Sequence, residues 1–320
     1  MKMLLAATLA LSVISPQVRA DAFPTKPVTL VVPFNAGGGV DAIARSLAKS
    51  LSTHWGKGVV VENVSGADGL LGTQRVARAA PDGHTILLTP PGLLLFKHQR
   101  LEPAFDAMTM LQPVSLVARA PLALSSSAKS GIGSVAEIQR VCAQPKASCG
   151  WGSGESLGWL LGHSLFGPLK LSSLVNVPYR GTGPLVNDLA GSHLALGFTT
   201  TLQVEQHHRS GAIKVLAVGG SNRYAKLPEV PTFAEAGVKE LPFQMIWFGL
   251  VAPKGLTESV SRAWAETLAT VAKDPSLGAV LETAGAEAVM SRPADFAAQI
   301  ARDEAFLIRQ LAVTPLPQQR

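Results

Sequence analysis

The sequence predicts an α/β protein of two domains, with largely parallel sheets covered by helices on both faces. Three observations carry that expectation. Short β-rich apolar runs alternate with stretches of helical spacing. Loops rich in glycine and turn residues follow several of those runs, where parallel sheets place ligands. The chain has 320 residues, more than a single hydrophobic core usually serves. With 47% apolar and 16% charged residues it reads as compact and ordered. Its 30 Gly and 22 Pro are too few and too scattered for collagen or low-complexity disorder.

The first segment reads as an export signal. Lys2 supplies the positive start, Leu4 to Ile14 the apolar run, and Val18-Arg19-Ala20 a small-residue end suited to cleavage. That run is too short to span a bilayer, which needs about 20 residues. Later runs such as Ile86–Leu88 and Leu93–Phe96 are briefer still. A soluble, exported chain beginning near Asp21 is expected, with no cysteine placed for a lipid anchor.

Val28 to Val32 is the first strand, ending in Pro33-Phe34-Asn35-Ala36-Gly37-Gly38-Gly39, which neither a helix nor a strand tolerates internally. Asp41 then stands where a helix N-cap or first-turn acid belongs, followed by Ile43, Ala44, Leu47 and Leu51 at helical spacing. Val59 to Val64 is a strand, Gly72 to Ala80 a helix, Thr85 to Thr89 a strand and Val114 to Val117 another. A strand then enters Gly150–Gly154, followed by a helix from Glu155 to Phe166 and the strand Leu174 to Val177. Pro178 to Pro184 is a second turn-rich loop, opening a helix that runs toward Ala190. Leu194 to Phe198, Ile213 to Val218 and Phe243 to Ala252 complete the strands. Amphipathic helices over 257–272, 276–283 and 294–311 close the chain, and no solenoid period is visible.

The net charge is +6, but Arg75, Arg78, Arg119, Arg140, Arg180 and Arg209 are dispersed and no basic block occurs. Nucleic-acid binding is therefore not expected. The two cysteines, Cys142 and Cys149, would share an oxidising compartment, and Pro145 lets the chain turn between them. They are expected to form a disulfide bracing the loop before Gly150-Trp151-Gly152-Ser153-Gly154.

The three glycines after the first strand allow close backbone approach, and the helix start behind them adds partial positive charge. A carboxylate or phosphate suits such a loop; a simple tight turn is the alternative. No Gly-Lys-Ser/Thr follows, so it is not a nucleotide loop of the Walker type. Gly154-Glu155-Ser156-Leu157-Gly158 matches the nucleophile elbow of serine hydrolases, with Asp188 and His193 or His207 in hydrolase order. A secreted hydrolase using Ser156 is thus the competing reading. The seven histidines form no metal-ligand spacing beyond one Glu205-x-x-His208 match, so neither metal nor cofactor is expected. Trp151 and Trp247-Phe248 border loops, where they serve packing or recognition.

A longer set of segments resembles one family. It comprises Val31-Val32-Pro33-Phe34-x-Ala36-Gly37-Gly38-x-x-Asp41-x-x-Ala44-Arg45, Val60-Val61-Glu62-Asn63, Val76 to Thr85, Gly152-Ser153-Gly154, Val177 to Pro184, Leu227 to Gly237, and Trp247 to Leu250 with Ala252 to Gly255. Together these are similar to the Bug-type extracytoplasmic receptors of tripartite tricarboxylate transporters. The resemblance implies a two-lobed type II periplasmic-binding-protein fold, each lobe a mixed, mainly parallel sheet flanked by helices. It places the signal peptide at 1–20, lobe 1 at 21–121 plus 243–320, and lobe 2 at 122–242. It implies a periplasmic protein, not an enzyme, that captures a small organic carboxylate for a membrane permease. A ligand-presenting partner of a sensor kinase is a further alternative, and a monomer is expected. Carried over, Phe34, Ala36, Gly37, Gly38 and Asp41 would line one wall with Thr89 nearby, and Ser153, Gly154, Thr182 and Thr199 the other. Ser156 becomes an ordinary helix-start residue, and Arg180 either neutralises charge near the cleft or lies on the surface. The chain departs from the family in having Ala195 and Thr199 where acids are frequent, which argues against an amino-acid ligand. Thr89-Pro90-Pro91-Gly92 is also stiffer than the loop usual there.

Overall fold

A computed structural model describes residues 23–99, 104–145, 147–153, 156–171, 173–179, 181–238, 241, 243–283, 285–313 and 316. The expected export signal, with Gly154 and Arg180, lies outside the described residues. Strand β1 (Val28–Val32) pairs in parallel with β2 (Val59–Asn63) and β3 (Thr85–Thr89). Between the first two strands runs helix α1 (Gly39–Trp55), whose Ile43, Ala44, Leu47 and Leu51 are fully buried, as their spacing demands. Helix α2 (Leu70–Ala77) begins two residues before the expected Gly72. Gly72 sits inside it because a Cβ there would stand 2.8 Å from Pro33 Cα and from the Val64 carbonyl. The helix thereby rests directly on the end of β1.

After β3 the chain makes a 3-10 run over Pro91–His98 that buries Leu93 to Phe96. A short helix α3 (Ala107–Met110) follows, its start capped by the Asp106 carboxylate. Strand β4 spans Leu111–Ser127, far longer than the Val114–Val117 run visible in the sequence. Pro113, Arg119 and Pro121 mask its length, and it accommodates irregular register at Pro113/Ser115 and Leu116/Ala118.

Helix α4 (Glu137–Cys142) leads into the disulfide between Cys142 and Cys149, both buried. Then come β5 (Trp151–Ser153), α5 (Ser156–Phe166), β6 (Asn176–Pro178), α6 (Thr182–Ala190), β7 (Leu196–Thr200), α7 (Thr201–Arg209) and β8 (Ile213–Val218). The chain returns through β9 (Met245–Pro253) and ends in α8 (Glu258–Val271), α9 (Pro275–Thr283), the short β10 (Glu287–Ala288) and α10 (Pro293–Val313).

Among the described residues the strand order is β2-β1-β3-β9-β4-β7-β5-β6, with β8 and β10 also on β4. Both sheets are mixed. Parallel pairs join β1 to β2 and β3, and β5 to β6 and β7, whereas every pairing of β4 and β9 is antiparallel. The reason is topological: β4 and β9 carry the chain between the two sheets in opposite directions. Strand β4 pairs with β9 up to Pro121 and with β7 from Leu122 onward. The two crossings touch there, for the Leu122 N–H donates to the Gln244 carbonyl and the Gly219 N–H to the Leu122 carbonyl, each at 2.8 Å.

The two tryptophans flagged beside loops are packing residues. Trp151 lies against Gly162, His163 and Phe166. Trp247 packs edge-on to Phe296 and donates its indole N–H to Asp303 at 2.7 Å. Burial pushes the Asp303 carboxyl up in pKa against the hydrogen bonds it accepts from Trp247 and from Gln299 Nε2.

The disulfide closes a loop between residues 7 apart. Short loops sit at the low end of disulfide stabilisation, so replacing both cysteines by serine should cost about 2 kcal/mol and lower the melting temperature by several degrees. Calorimetry of the double variant checks this; an unchanged melting temperature would show that the surrounding packing holds the loop unaided.

Candidate functional site

The loops after β1, β2, β3 and β6 and the end of β7 converge on one cavity of about 900 Å³. Its first wall is the loop from Pro33 to Val40, with Ala36, Gly37 and Gly38 on the rim of α1. Gly37 has φ 85°, a left-handed value that glycine adopts without strain. Asp41, in the first turn of α1, borders the cavity but is buried, and its carboxylate is engaged within the loop. Its Oδ2 accepts from the Gly37 N–H and Arg45 Nε, both at 2.9 Å, and its Oδ1 from Asn63 Nδ2 at 3.0 Å. Asn63 also donates to the Phe34 carbonyl at 3.1 Å, tying the loop to β2. Burial pushes the Asp41 carboxyl up, but the Arg45, Gly37 and Asn63 hydrogen bonds outweigh it and hold the group below its ordinary range. Asp41 therefore stays ionised well into mild acid and fixes the loop's shape.

The second wall is the turn Ser65–Gly69, which the sequence did not single out. Ala67 and Asp68 adopt φ 46° and 56°, unusual for residues with a side chain. Asp68 reaches across to the other sheet's helix. Its Oδ2 accepts from the Ser156 N–H at 3.0 Å and the Ser156 hydroxyl at 2.7 Å, while Gln99 Nε2 donates to the same hydroxyl at 3.0 Å. Ser156 is thus the helix-start residue the resemblance implied, held from the opposite side of the cleft.

The competing hydrolase constellation is not assembled. The Asp188 carboxylate accepts from the Tyr179 hydroxyl at 2.6 Å, and burial together with that bond pushes the Tyr179 phenol up to about 12. His208 faces Glu229 at 2.9 Å rather than Glu205, whose ion-pair partner is Arg209 at 3.0 Å. Among the described residues no group of three His, Cys, Asp or Glu side chains is placed to hold a metal ion.

The third wall is the start of α6. Gly181 precedes it at φ 96° and, like Gly38 before α1, brings no side chain to cap the helix. Thr182 and Gly183 border the cavity, and Gln203 Nε2 donates to the Thr182 hydroxyl. Gln203 also closes the capping box of α7 with Thr200, so one side chain ties both helix starts together. Thr199 lines the cavity and its buried hydroxyl has no hydrogen-bond partner among the described residues. Thr89 is buried outside the lining, its hydroxyl turned to the Pro90 carbonyl at 3.2 Å, and Pro90 borders the cavity instead. Gly154 lies outside the described residues, and of Ser153 only the backbone is described, paired with Pro178.

The floor is apolar. Phe248 and Ile246 on β9, Leu122 on β4 and Phe198 on β7 all border the cavity, and Leu157 and Leu161 of α5 close over them. Strand register explains the set. Ile246 and Phe248 stand opposite Ala120 and Ala118, and Phe198 stands opposite Leu124, in one pleat of β4 with Leu122. These residues look unremarkable in sequence, because only long-range pairing brings them together.

A two-sheet α/β body with both chain crossings at one point and a glycine-walled cavity between defines an extracytoplasmic binding-protein fold. The solved periplasmic binding protein BugD has this fold, with a TM-score of 0.81 and 31% identity over 93% of this chain and 100% of its own. A Rhodopseudomonas palustris protein solved with adipate, Rpa4515, superimposes with a TM-score of 0.84 at 28% identity, covering 93% of this chain and 100% of its own. BugT of Bordetella pertussis is 36% identical over 247 residues, 76% of this chain and 75% of BugT. The model of the tripartite tricarboxylate transporter family receptor matches residues 43–311. The chain belongs to that family of receptors. Its members are periplasmic solute-binding proteins rather than enzymes.

Proposed function

We propose that this protein captures a small organic carboxylate between its two lobes and presents it to a tripartite tricarboxylate-type transporter in the membrane. The observation that supports it best is the pair of glycine-started helices, α1 and α6, whose uncapped N-termini border one cavity. Free N–H groups and the helix dipoles there favour a carboxylate without a cationic side chain. In this reading the backbone of Phe34, Ala36, Gly37 and Gly38 meets Thr182 and Thr199 around the carboxylate, with Ser153 and Gly154 beside them. Lobe 1 comprises 21–121 and 243–320 and lobe 2 comprises 122–242, hinged where β4 exchanges partners at Pro121 and Leu122. Closure about that hinge would trap the ligand. The first 20 residues are removed on export.

Thermal unfolding against mono-, di- and tricarboxylates tests the core of this. A carboxylate at a hundred times its dissociation constant should add about 2.7 kcal/mol to stability. If no carboxylate shifts the transition and none co-purifies, the receptor reading fails. N-terminal sequencing of the secreted chain should begin near Asp21.

A further inference from the structure

The three glycines after β1 are not equivalent. Gly37 has φ 85°, which a residue with a side chain resists. Gly38 is extended, and a Cβ there would meet nothing closer than the Asn35 carbonyl oxygen at 3.7 Å, so neither backbone nor packing demands glycine. Gly39, the first residue of α1, is not among the residues with positive φ, and its backbone would accept a side chain. Space is what it lacks. A Cβ there would stand 2.9 Å from Leu202 Cδ2.

Leu202 lies in the first turn of α7 and, like Gly39, borders the cavity. Its backbone is hemmed in from a second side. A Cβ built on Gly285 would lie 3.2 Å from Leu202 N, 3.3 Å from Leu202 Cα and 2.8 Å from the Tyr224 hydroxyl oxygen. The Gly285 turn is itself gripped: the Glu282 carbonyl accepts the Gly285 N–H at 2.9 Å and Lys226 Nζ at 2.6 Å. That ammonium sits at the C-terminal end of α9, where the helix dipole favours a cation. In the lobe division proposed above, Gly39, Glu282 and Gly285 belong to lobe 1, and Leu202, Tyr224 and Lys226 to lobe 2. Every one of these contacts therefore crosses the cleft.

We infer that Leu202 is the positioning residue of closure: a wedge carried by the second lobe that seats between Gly39 and the Gly285 turn, so that the room those two glycines leave fixes how far the cleft shuts. This step rests on the carboxylate-receptor reading and its lobe closure. The wedge acts on the ligand through α1. Its hydrocarbon covers the start of that helix, displaces water from beside the uncapped N–H groups and strengthens their attraction for a carboxylate. A side chain at position 39 holds the wedge off and leaves that gap wet, so it weakens binding without touching the ligand. Gly285 is the poorer probe, because its φ of 60° calls for glycine on backbone grounds as well.

A double-mutant cycle by titration calorimetry tests the wedge. Succinate, adipate, citrate and benzoate are the probes, and the one that binds the mature wild-type chain most tightly is carried through the variants. Gly39→Ala should bind it about tenfold more weakly, and Leu202→Ala, which lacks the wedge, three- to fivefold more weakly. Added to Leu202→Ala, Gly39→Ala should cost less than a further twofold, because its methyl group then meets no leucine. Without probe, Gly39→Ala should melt within a degree or two of the wild type, since the contact belongs to the closed form.

An equal loss from Gly39→Ala in both backgrounds would overturn the wedge and set the ligand itself against position 39. Wild-type affinity in Gly39→Ala would overturn it as well. Small-angle scattering of the wild type, with and without the probe, separates these failures from that of the underlying reading. Binding without compaction would overturn closure, and the wedge with it. Absence of binding by all four probes would overturn the receptor reading itself.

Discussion

Asp68→Gly should weaken ligand binding by fifty- to a hundredfold while leaving the unliganded protein at least as stable as before. Two separable roles of Asp68 lead to that combination. Its backbone, at φ 56°, adopts a conformation that glycine takes without strain. If Asp68 only shaped the Ser65–Gly69 turn, the substitution would be neutral or mildly stabilising. Its carboxylate, however, spans the cleft to the Ser156 N–H and hydroxyl. Hydrogen bonds to a charged acceptor contribute roughly 1.5–3 kcal/mol each, and the half-exposed setting puts these at the low end. Under the closure proposed above, in which these bonds form as the two sides of the cleft meet, losing both removes about 2.5 kcal/mol from the closed arrangement. Affinity falls with the population of the closed state, so the loss emerges in Kd. Asp68→Asn keeps the shape and one acceptor but not the charge, and should give an intermediate loss of five- to tenfold. Ser156→Ala keeps the N–H bond and should behave like the asparagine variant. Titration of the three variants, with small-angle scattering of the unliganded forms, reads the effect. Wild-type affinity in Asp68→Gly would reduce the residue to a turn former.

This pair shows why the site was only partly legible in the sequence. The glycine loop and Asp41 could be read because their chemistry is local: strand, turn, first-turn acid and helix follow one another within fourteen residues. Ser156 was equally conspicuous but pointed two ways, to a nucleophile or to a helix start. What decides between them is Asp68, 88 positions away, whose approach no local pattern announces. The apolar floor was invisible for the same reason. Leu122, Phe198 and Ile246 become neighbours only through the antiparallel register of β4 with β7 and β9. The strands β1, β3 and β8 were plain because each is a short apolar run bounded by turn residues. Strand β4 was foreshortened because prolines at 113 and 121 read as terminators, although each sits where the ladder shifts register or changes partner. The 3-10 run over Pro91–His98 has no distinctive period, so nothing in the sequence marks it as an element.

Gly219→Ala should be among the most disruptive single-methyl changes in the protein, costing about 3 kcal/mol or more. Gly219 follows β8, where the chain leaves the second sheet. A Cβ built there would lie 1.6 Å from the Gln244 carbonyl oxygen, 2.5 Å from its carbon and 3.0 Å from its Cα. All three are backbone atoms, so no rotamer change relieves the overlap, and the two crossing segments must separate. Separation is costly at this point in particular. The Gln244 oxygen accepts the Leu122 N–H and the Leu122 oxygen accepts the Gly219 N–H. Moving Gln244 therefore disturbs the hydrogen bonds that hold both crossings together. Glycine is required here by proximity, because Gly219 is not among the residues with positive φ. Gly278 provides the contrast. It lies inside α9 with nothing within 4 Å of a built Cβ, so Gly278→Ala should stabilise by about 0.5–1 kcal/mol through helix propensity. In thermal unfolding Gly219→Ala should melt roughly 5–10 °C lower and Gly278→Ala slightly higher. A Gly219→Ala protein melting within a degree or two of wild type would mean that the crossings are free to move apart. The closure hinge would then have to lie elsewhere than at the Leu122–Gly219–Gln244 contact.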